Sequence, residues 1–288
     1  MRSFCVRIAL LGALVAVVFM SVPGVRADDT LVLGVFPRNN AAVTHERMSA
    51  LADYLSTQLD RPVELVTPKD FDTFWSSVQN QAYDIVHLNQ YDYVEAHKLY
   101  NYDVILKNVE FGESTIAGAI IVRKDSGIES ISDLKGKTVV FGGGPRAMQS
   151  YIVARYLMQQ GGLKSGDYVE RFSNNPPNAI LAAYFKQADA AGAGDKVLAL
   201  EPVQSSIDTS QMRILVRSEQ LPHLPWAVKR TMTAELRTTI QNLLSRLHES
   251  ADGREILNQA QLTELRRATD NDYDRHREII RAVLGLNY

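Results

Sequence analysis

GKTVVFGGGPRAMQSYIVARYLM, residues Gly136 to Met158, is the stretch whose reading decides the fold. Lys137–Phe141 is a β-branched and aromatic run that suits a buried strand. Gly142, Gly143 and Gly144 break it, because only glycine turns this tightly without steric cost. Pro145 fits the first turn of a helix, where a missing N–H loses nothing. From Arg146 apolar residues recur at helical spacing, at Met148, Ile152 and Tyr156, with Tyr151 and Arg155 alongside. A glycine turn feeding a helix leaves N–H groups pointing outward at the positive end of the helix dipole, a seat for an anion. Taken alone, the stretch is either an ordinary strand–helix connection with glycines for close packing or one wall of a ligand cleft.

On both sides the same alternation repeats. Leu31–Val35 reads as a strand ending in the turn Pro37-Arg38-Asn39-Asn40, with Thr44 as N-cap of a helix burying Met48, Leu51, Ala52, Leu55 and Leu59. Val63–Val66 is a second strand, and Phe71, Phe74, Trp75 and Val78 form an aromatic helical stripe read as core packing. Strand Asp84–Leu88 leaves through the polar run Asn89–Tyr93 into a helix over Val94–Leu99, then strand Tyr102–Leu106. This order predicts a mainly parallel sheet with ligand sites at the carboxyl ends of its strands. Ala119–Val122 is placed to carry the chain to a second lobe, and Met212–Val216 to bring it back. Between them lie a helix stopped by Gly161-Gly162, strand Val169–Phe172, the turn Ser173–Pro177, helix Ala179–Phe185 and the small-residue strand Ala188–Ala193. A helix after Thr233 carries Leu236, Ile240, Leu243, Leu244 and Leu247, and a last one spans Asp274–Leu284. The layout is α/β, two αβ lobes joined by a two-strand hinge with a cleft between them: residues 28–117, 118–214, and a return over 215–288.

Residues 1–27 read as a cleaved secretory signal peptide. Arg2 and Arg7 flank the apolar run Ile8–Met20, and Val25 and Ala27 are the small residues before the cut. The run is short for a membrane span, so periplasmic localisation without membrane insertion is expected. Cys5, the only cysteine, goes with the leader, leaving no disulfide or thiol chemistry. Loss of Arg2, Arg7 and Arg26 shifts the formal charge from −2 to −5, which gives no reason to expect nucleic acid.

Several segments resemble the PhnD-like family, the periplasmic phosphate/phosphite/phosphonate-binding proteins of ABC transporters. They are Tyr83-Asp84-Ile85-Val86, the run Ile120–Ile128 (IIVRKDSGI), Asp133-Leu134-Lys135-Gly136-Lys137, and Ala268–Asp274 (ATDNDYD) followed by Ile279-Ile280-Arg281. The resemblance covers nearly all of the mature chain. It implies a type II periplasmic-binding-protein fold, capture of a small anionic or zwitterionic ligand by lobe closure, an ABC permease as partner, and no catalysis. A sensory role on a membrane histidine kinase or cyclase is the alternative. The departures are specific. Where the family carries a Gly-Asp-Pro-like turn and a Ser-Thr-Ser run on phosphonate oxygens, this chain reads Gly143-Gly144-Pro145-Arg146-Ala147-Met148-Gln149. Gly118 stands for a common serine, and Asn175-Pro176 for a His-Glu or His-Asp pair. Unpaired polar atoms on a buried ligand cost about 1–3 kcal/mol each, so the ligand is expected to differ from a standard alkylphosphonate.

The ligand-binding candidates follow from these turns. Gly144, Arg146, Ala147, Met148 and Gln149 offer the helix N-terminus, with Arg146→Ala expected to weaken an anionic ligand. Arg38 and Asn39 offer a charge-assisted contact from the first strand–helix turn. His87, Asn89, Gln90 and Tyr91, with Tyr93, cluster at the third strand's exit, and Asn174, Asn175 and Asp195 at equivalent turns of the second lobe. Asp195 either favours a ligand amine or caps a helix. No cofactor or metal is expected: His45, His87, His97, His223, His248 and His276 are scattered, without a His-x-x-x-His pair. There is no Gly-x-Ser-x-Gly elbow, and Ile131 stands where a P-loop ending in Gly136-Lys137-Thr138 needs glycine. Gly142-x-Gly144-x-x-Ala147, with Glu170 as the ribose-binding acid, fits a dinucleotide fingerprint. Secretion and the stiff Pro145 disfavour that remote enzyme reading.

Overall fold

The computed structural model describes residues 30–38 and 40–288, so residues 1–27, read above as a signal peptide, together with Asp28, Asp29 and Asn39, lie outside the described residues. Leu31–Val35 pairs in parallel with Val63–Val66 on one side and Ile85–His87 on the other. The helix between them, Ala41–Leu59, buries Met48, Leu51, Ala52 and Leu55. Its N-cap is Asn40, which accepts from the Val43 N–H, and not Thr44. Thr44 lies buried one turn inside, its hydroxyl donating to the Asn40 carbonyl.

Beyond Ile85–His87 the first sheet turns antiparallel through Pro225–Lys229, Tyr102–Val109 and Glu264–Arg267. The expected mainly parallel sheet is therefore mixed. Pro225–Lys229 returns from the other lobe and enters the sheet in the opposite direction. The second sheet repeats the design. Thr138–Gly142 is parallel to both Ala190–Gly194 and Val169–Ser173, while Gly118–Arg123 and Met212–Arg217 add an antiparallel side.

The crossing between lobes also differs from expectation. Ala119–Val122 and Met212–Val216 lie within the second sheet and pair with each other there. The chain crosses through a separate two-stranded ribbon just before and after them, Thr115–Ile116 against Leu221–Pro222. Two helices begin earlier than the sequence predicts. Asn89 caps a helix over Gln90–Tyr100, and Asn175 caps one over Pro176–Tyr184. In both, a run read as loop is the first helical turn, where polar residues and proline are tolerated.

One apolar cluster around Leu51, Leu55, Trp226 and Ile240 underlies the first sheet, and another around Ile121, Ile180 and Ala191 the second. A third runs across both lobes, joining Tyr93, Tyr273 and Ile280 to Ile152 and Met158. The C-terminal helix Asp274–Leu284 packs on Gln90–Tyr100 of the first lobe and on the helix after the glycine turn of the second.

The helix after the glycine turn approaches the second sheet closely because Ala190–Gly194 reads AAGAG. A Cβ on Gly192 would lie 2.2 Å from the Ser150 carbonyl oxygen and 2.4 Å from the Phe141 ring. Backbone cannot yield as a flexible side chain does. Gly192→Ala is expected to lower stability by about 1–3 kcal/mol, read as a lower urea midpoint with an unchanged slope.

Candidate functional site

The glycine turn does not run straight into a helix. Gly143 and Gly144 take φ values of +92° and +82°, and Pro145-Arg146 form a separate turn closed by the Ala147 N–H on the Gly144 carbonyl at 3.1 Å. Pro145 thus precedes the helix instead of opening it. The helix starts at Met148 as a π-turn through Val153 and continues as α-helix to Gln160. The Tyr151 and Ile152 N–H groups both bond the Ala147 carbonyl, at 3.0 and 3.2 Å; the second is the i→i−5 bond of a π-turn. Ala147 supplies no side-chain cap. The N–H groups of Met148, Gln149 and Ser150 therefore precede the first internal bond of the helix and have no helical acceptor.

Those three residues line a cavity of ≈ 130 Å³ between the lobes. The first lobe contributes Phe36, Arg38, Phe71, Asn89, Gln90 and Glu110; the second contributes Gly143, Ala147, Asn174, Asn175 and Lys196. Ile116, in the crossing ribbon, and His223, directly after it, add to the lining. Arg38 is bound to Glu110, with N···O distances of 2.9 and 3.3 Å, and Asn108 donates to the same carboxylate at 2.9 Å. Burial would raise the Glu110 pKa, but the Arg38 charge, with the hydrogen bonds from Arg38 and Asn108, outweighs it and pulls the value down to about 2. Glu110 is thus ionised and neutralises Arg38. Burial lowers the His223 pKa, and its Nδ1 accepts from the Leu224 N–H at 2.8 Å, so the ring is neutral.

Lys196 differs from these. It is half-buried at the cavity wall, and among the described residues its ammonium has no hydrogen-bond or ion-pair partner. Gln149 is a further open group: both ends of its amide are enclosed and without a partner. Asn175, by contrast, is occupied in accepting from Asn178, and Pro176 and Pro177 have no N–H to offer. The helix they open gives the cavity no free N–H in its first two positions. Asn89 accepts from the Asp92 N–H at 3.0 Å, and Gln90 donates to the Pro222 carbonyl at 3.2 Å. Both line the cavity while fixing its frame.

The remaining predicted residues have other occupations here. Arg146 leaves the cavity and crosses to the first lobe. Its Nε donates to Asp92 at 2.7 Å and one terminal nitrogen to Glu95 at 2.7 Å. Its guanidinium lies between the rings of Trp75 and Tyr91, at 4.1 and 4.5 Å. Tyr91 therefore stacks on protein, and Gly144 belongs to the turn. Tyr93 is interior, its hydroxyl donating to Asp270 at 2.7 Å. His87 lies beneath the cavity, stacked on Trp226 at 4.4 Å and edge-on to Phe36 at 5.2 Å; burial takes its pKa down to about 3. Asp195 neither caps a helix nor faces the cavity. It accepts from the Ala117 N–H at 3.2 Å and from Gln220 at 3.0 Å, strapping the two chain crossings together. Glu170 accepts from the Tyr151 hydroxyl at 3.0 Å and faces Arg155, so the ribose-binding role has no support. Lys196, Glu110 and Phe36 escaped the sequence reading, and Phe71, read there as core packing, lines the cavity. Lys196 had a positional signal, since it follows the carboxyl end of a predicted strand.

A profile of the family described as "ABC transporter, phosphonate, periplasmic substrate-binding protein" matches residues 33–273. The chain belongs to this family. Among solved structures, XAC2383 from Xanthomonas citri bound to ATP matches with a TM-score of 0.77 and 16% identity, over 89% of this chain and 98% of that one. PhnD1 from Prochlorococcus marinus in complex with methylphosphonate matches with 0.77 and 17%, over 90% and 99%. PA3383 of Pseudomonas aeruginosa, a binding protein component of an ABC phosphonate transporter, matches with 0.74 and 16%, over 87% and 85%. At such identities these likenesses establish the fold, that of a type II periplasmic binding protein. Family membership makes this a periplasmic substrate-binding protein. Among the described residues no group of three His, Cys, Asp or Glu is placed to hold a metal, and no helix is long and apolar enough to cross a membrane.

Asp92 makes the Arg146 contact dependent on pH. Burial raises its pKa to about 6 against the opposing pull of Arg146. A raised carboxyl value means that the Asp92 contribution to stability is full below the ordinary carboxylate range and is lost as pH climbs through 6. Arg146→Met strips the buried carboxylate of its cation and pushes its pKa higher still. The variant is expected to lose about 3 kcal/mol at pH 8, the lower end for breaking a buried pair. At pH 5 it loses much less, because the folded state then holds Asp92 neutral. Urea unfolding at the two pH values measures the difference.

Proposed function

We propose that this protein captures a small oxyanion of the phosphonate or phosphate class in the cleft between its lobes, by closure of one lobe on the other, and delivers it to its ABC permease. The carrying observation is the pairing, on one wall, of an uncapped helix N-terminus with the partnerless ammonium of Lys196. Backbone N–H groups at a helix start bind anions through their direction and through the dipole. A charge-assisted hydrogen bond adds about 1.5–3 kcal/mol. The oxyanion would accept from the N–H groups of Met148, Gln149 and Ser150, from the Gln149 amide and from Lys196. Phe36 and Phe71, on the facing wall, would meet its organic side.

This coordination answers the loss of the family's hydroxyl run. Pro145, Arg146 and Ala147 bring no hydroxyl, but the helix N-terminus remains, and Lys196, in the turn that follows the neighbouring strand, restores charge. Closure follows from the same layout: an oxyanion held on the second lobe brings Asn89, Gln90 and the Arg38–Glu110 pair of the first lobe into contact with its far side.

Lys196→Gln keeps a polar side chain and removes the charge. It is expected to weaken methylphosphonate or phosphate binding at least tenfold in calorimetry, about 1.4 kcal/mol, and to abolish most of the ligand-induced thermal shift. Affinity equal to the unaltered protein would count against the oxyanion reading.

A further inference from the structure

A second, larger chamber of ≈ 350 Å³ adjoins the first. The two spaces share Phe36, Arg38, Glu110, Phe111, Asn175, Pro176 and Leu200, so the ion pair stands between them as a partition. The larger chamber is also walled by both lobes, with Thr44, Arg47 and Gln261 from the first and Asn178, Leu181 and Ser206 from the second. Its distinguishing group is Arg47, on the buried side of the first helix. The residue is half-buried, and among the described residues its guanidinium has no hydrogen bond or ion pair. Burial and the neighbouring Arg38 both disfavour its charge, and Glu46 only partly offsets them.

The charged residues lining the two chambers are Arg38, Arg47, Lys196 and Glu110. Arg38 and Glu110 cancel, leaving one uncompensated cation in each chamber. A lone phosphonate in the smaller chamber would satisfy Lys196 and leave Arg47 facing an empty, partly desolvated space. We propose that the ligand is two-ended: an oxyanion at Lys196 joined by a short organic spacer to a second anion, such as a carboxylate, which passes the Arg38–Glu110 partition and pairs with Arg47. This rests on the oxyanion reading of the smaller chamber and extends it to the substrate class. A carboxylate suits Arg47 because guanidinium binds that planar group with two parallel hydrogen bonds.

The test is calorimetry with a ladder of ω-carboxyalkylphosphonates, two to five carbons between the acids, each against the alkylphosphonate of equal length. The unaltered protein is expected to bind the best carboxylated member at least about tenfold more tightly than its match. In Arg47→Met that ratio falls to about one, while Arg47→Lys keeps part of it. A ratio near one along the whole ladder overturns the inference, as does a preference that Arg47→Met leaves intact. In either case, Lys196-dependent binding of the plain alkylphosphonates shows that the oxyanion reading itself survives. If neither series nor phosphate binds, that reading fails and the two-ended ligand falls with it.

Discussion

The contact that the rest of the molecule depends on is the enclosure of one guanidinium. Arg146 projects from the second lobe's glycine turn and is received by the first lobe: two carboxylates accept from its nitrogens, and the guanidinium lies over the rings of Trp75 and Tyr91. Asp92 is almost wholly buried, so the pair is poorly screened by solvent and hard to leave half-made. The turn bearing Arg146 is also the one that ends at Ala147 and exposes the helix N–H groups. Anchoring the arginine therefore fixes where the proposed anion seat lies relative to the opposite wall. A residue that reads as a ligand contact in the sequence is a bridge between the lobes in the structure.

Three connections place the lobes. The crossing ribbon at Thr115–Ile116 and Leu221–Pro222 is tied by Asp195 and Gln220 at one edge of the cleft. The C-terminal helix spans both lobes on an apolar seam, and Arg275 links Glu219 to Tyr156 beside it. Arg146 stands at the mouth of the glycine turn. With ribbon, seam and cation all joining the lobes, polar groups can remain unpaired inside the cleft. Lys196, Arg47 and the Gln149 amide cost stability where they are, and such groups gather where a ligand is to satisfy them.

Much of the architecture was legible because it is local. Short apolar runs closed by Gly, Asn or Pro marked the strands at Leu31, Val63, Ile85, Thr138 and Val169, and the last helix fell where its periodicity put it. The antiparallel half of the first sheet was not legible. Pro225–Lys229 is five residues beginning with proline, and its partners lie more than a hundred positions earlier, so nothing nearby announces its pairing. The same reasoning explains Arg146. Near a helix start an arginine reads as an anion's partner, and Asp92 and Glu95, 54 and 51 residues away, were hidden in a run taken for loop and helix. Lys196 and Arg47 stand out only by lacking partners, which requires the folded chain.

Arg146, bonded to Asp92 and Glu95 of the other lobe, is expected to set the single starting arrangement of the lobes from which closure on a ligand proceeds. Cys5 is the only cysteine in the sequence, so in a Cys5→Ser background spin labels can be placed cleanly on exposed Asp72 of the first lobe and Arg171 of the second. Pulsed dipolar spectroscopy on the ligand-free protein should then give one narrow distance distribution, and Arg146→Met should add a longer, broader population. Matching distributions for the unaltered protein and the variant would contradict the claim.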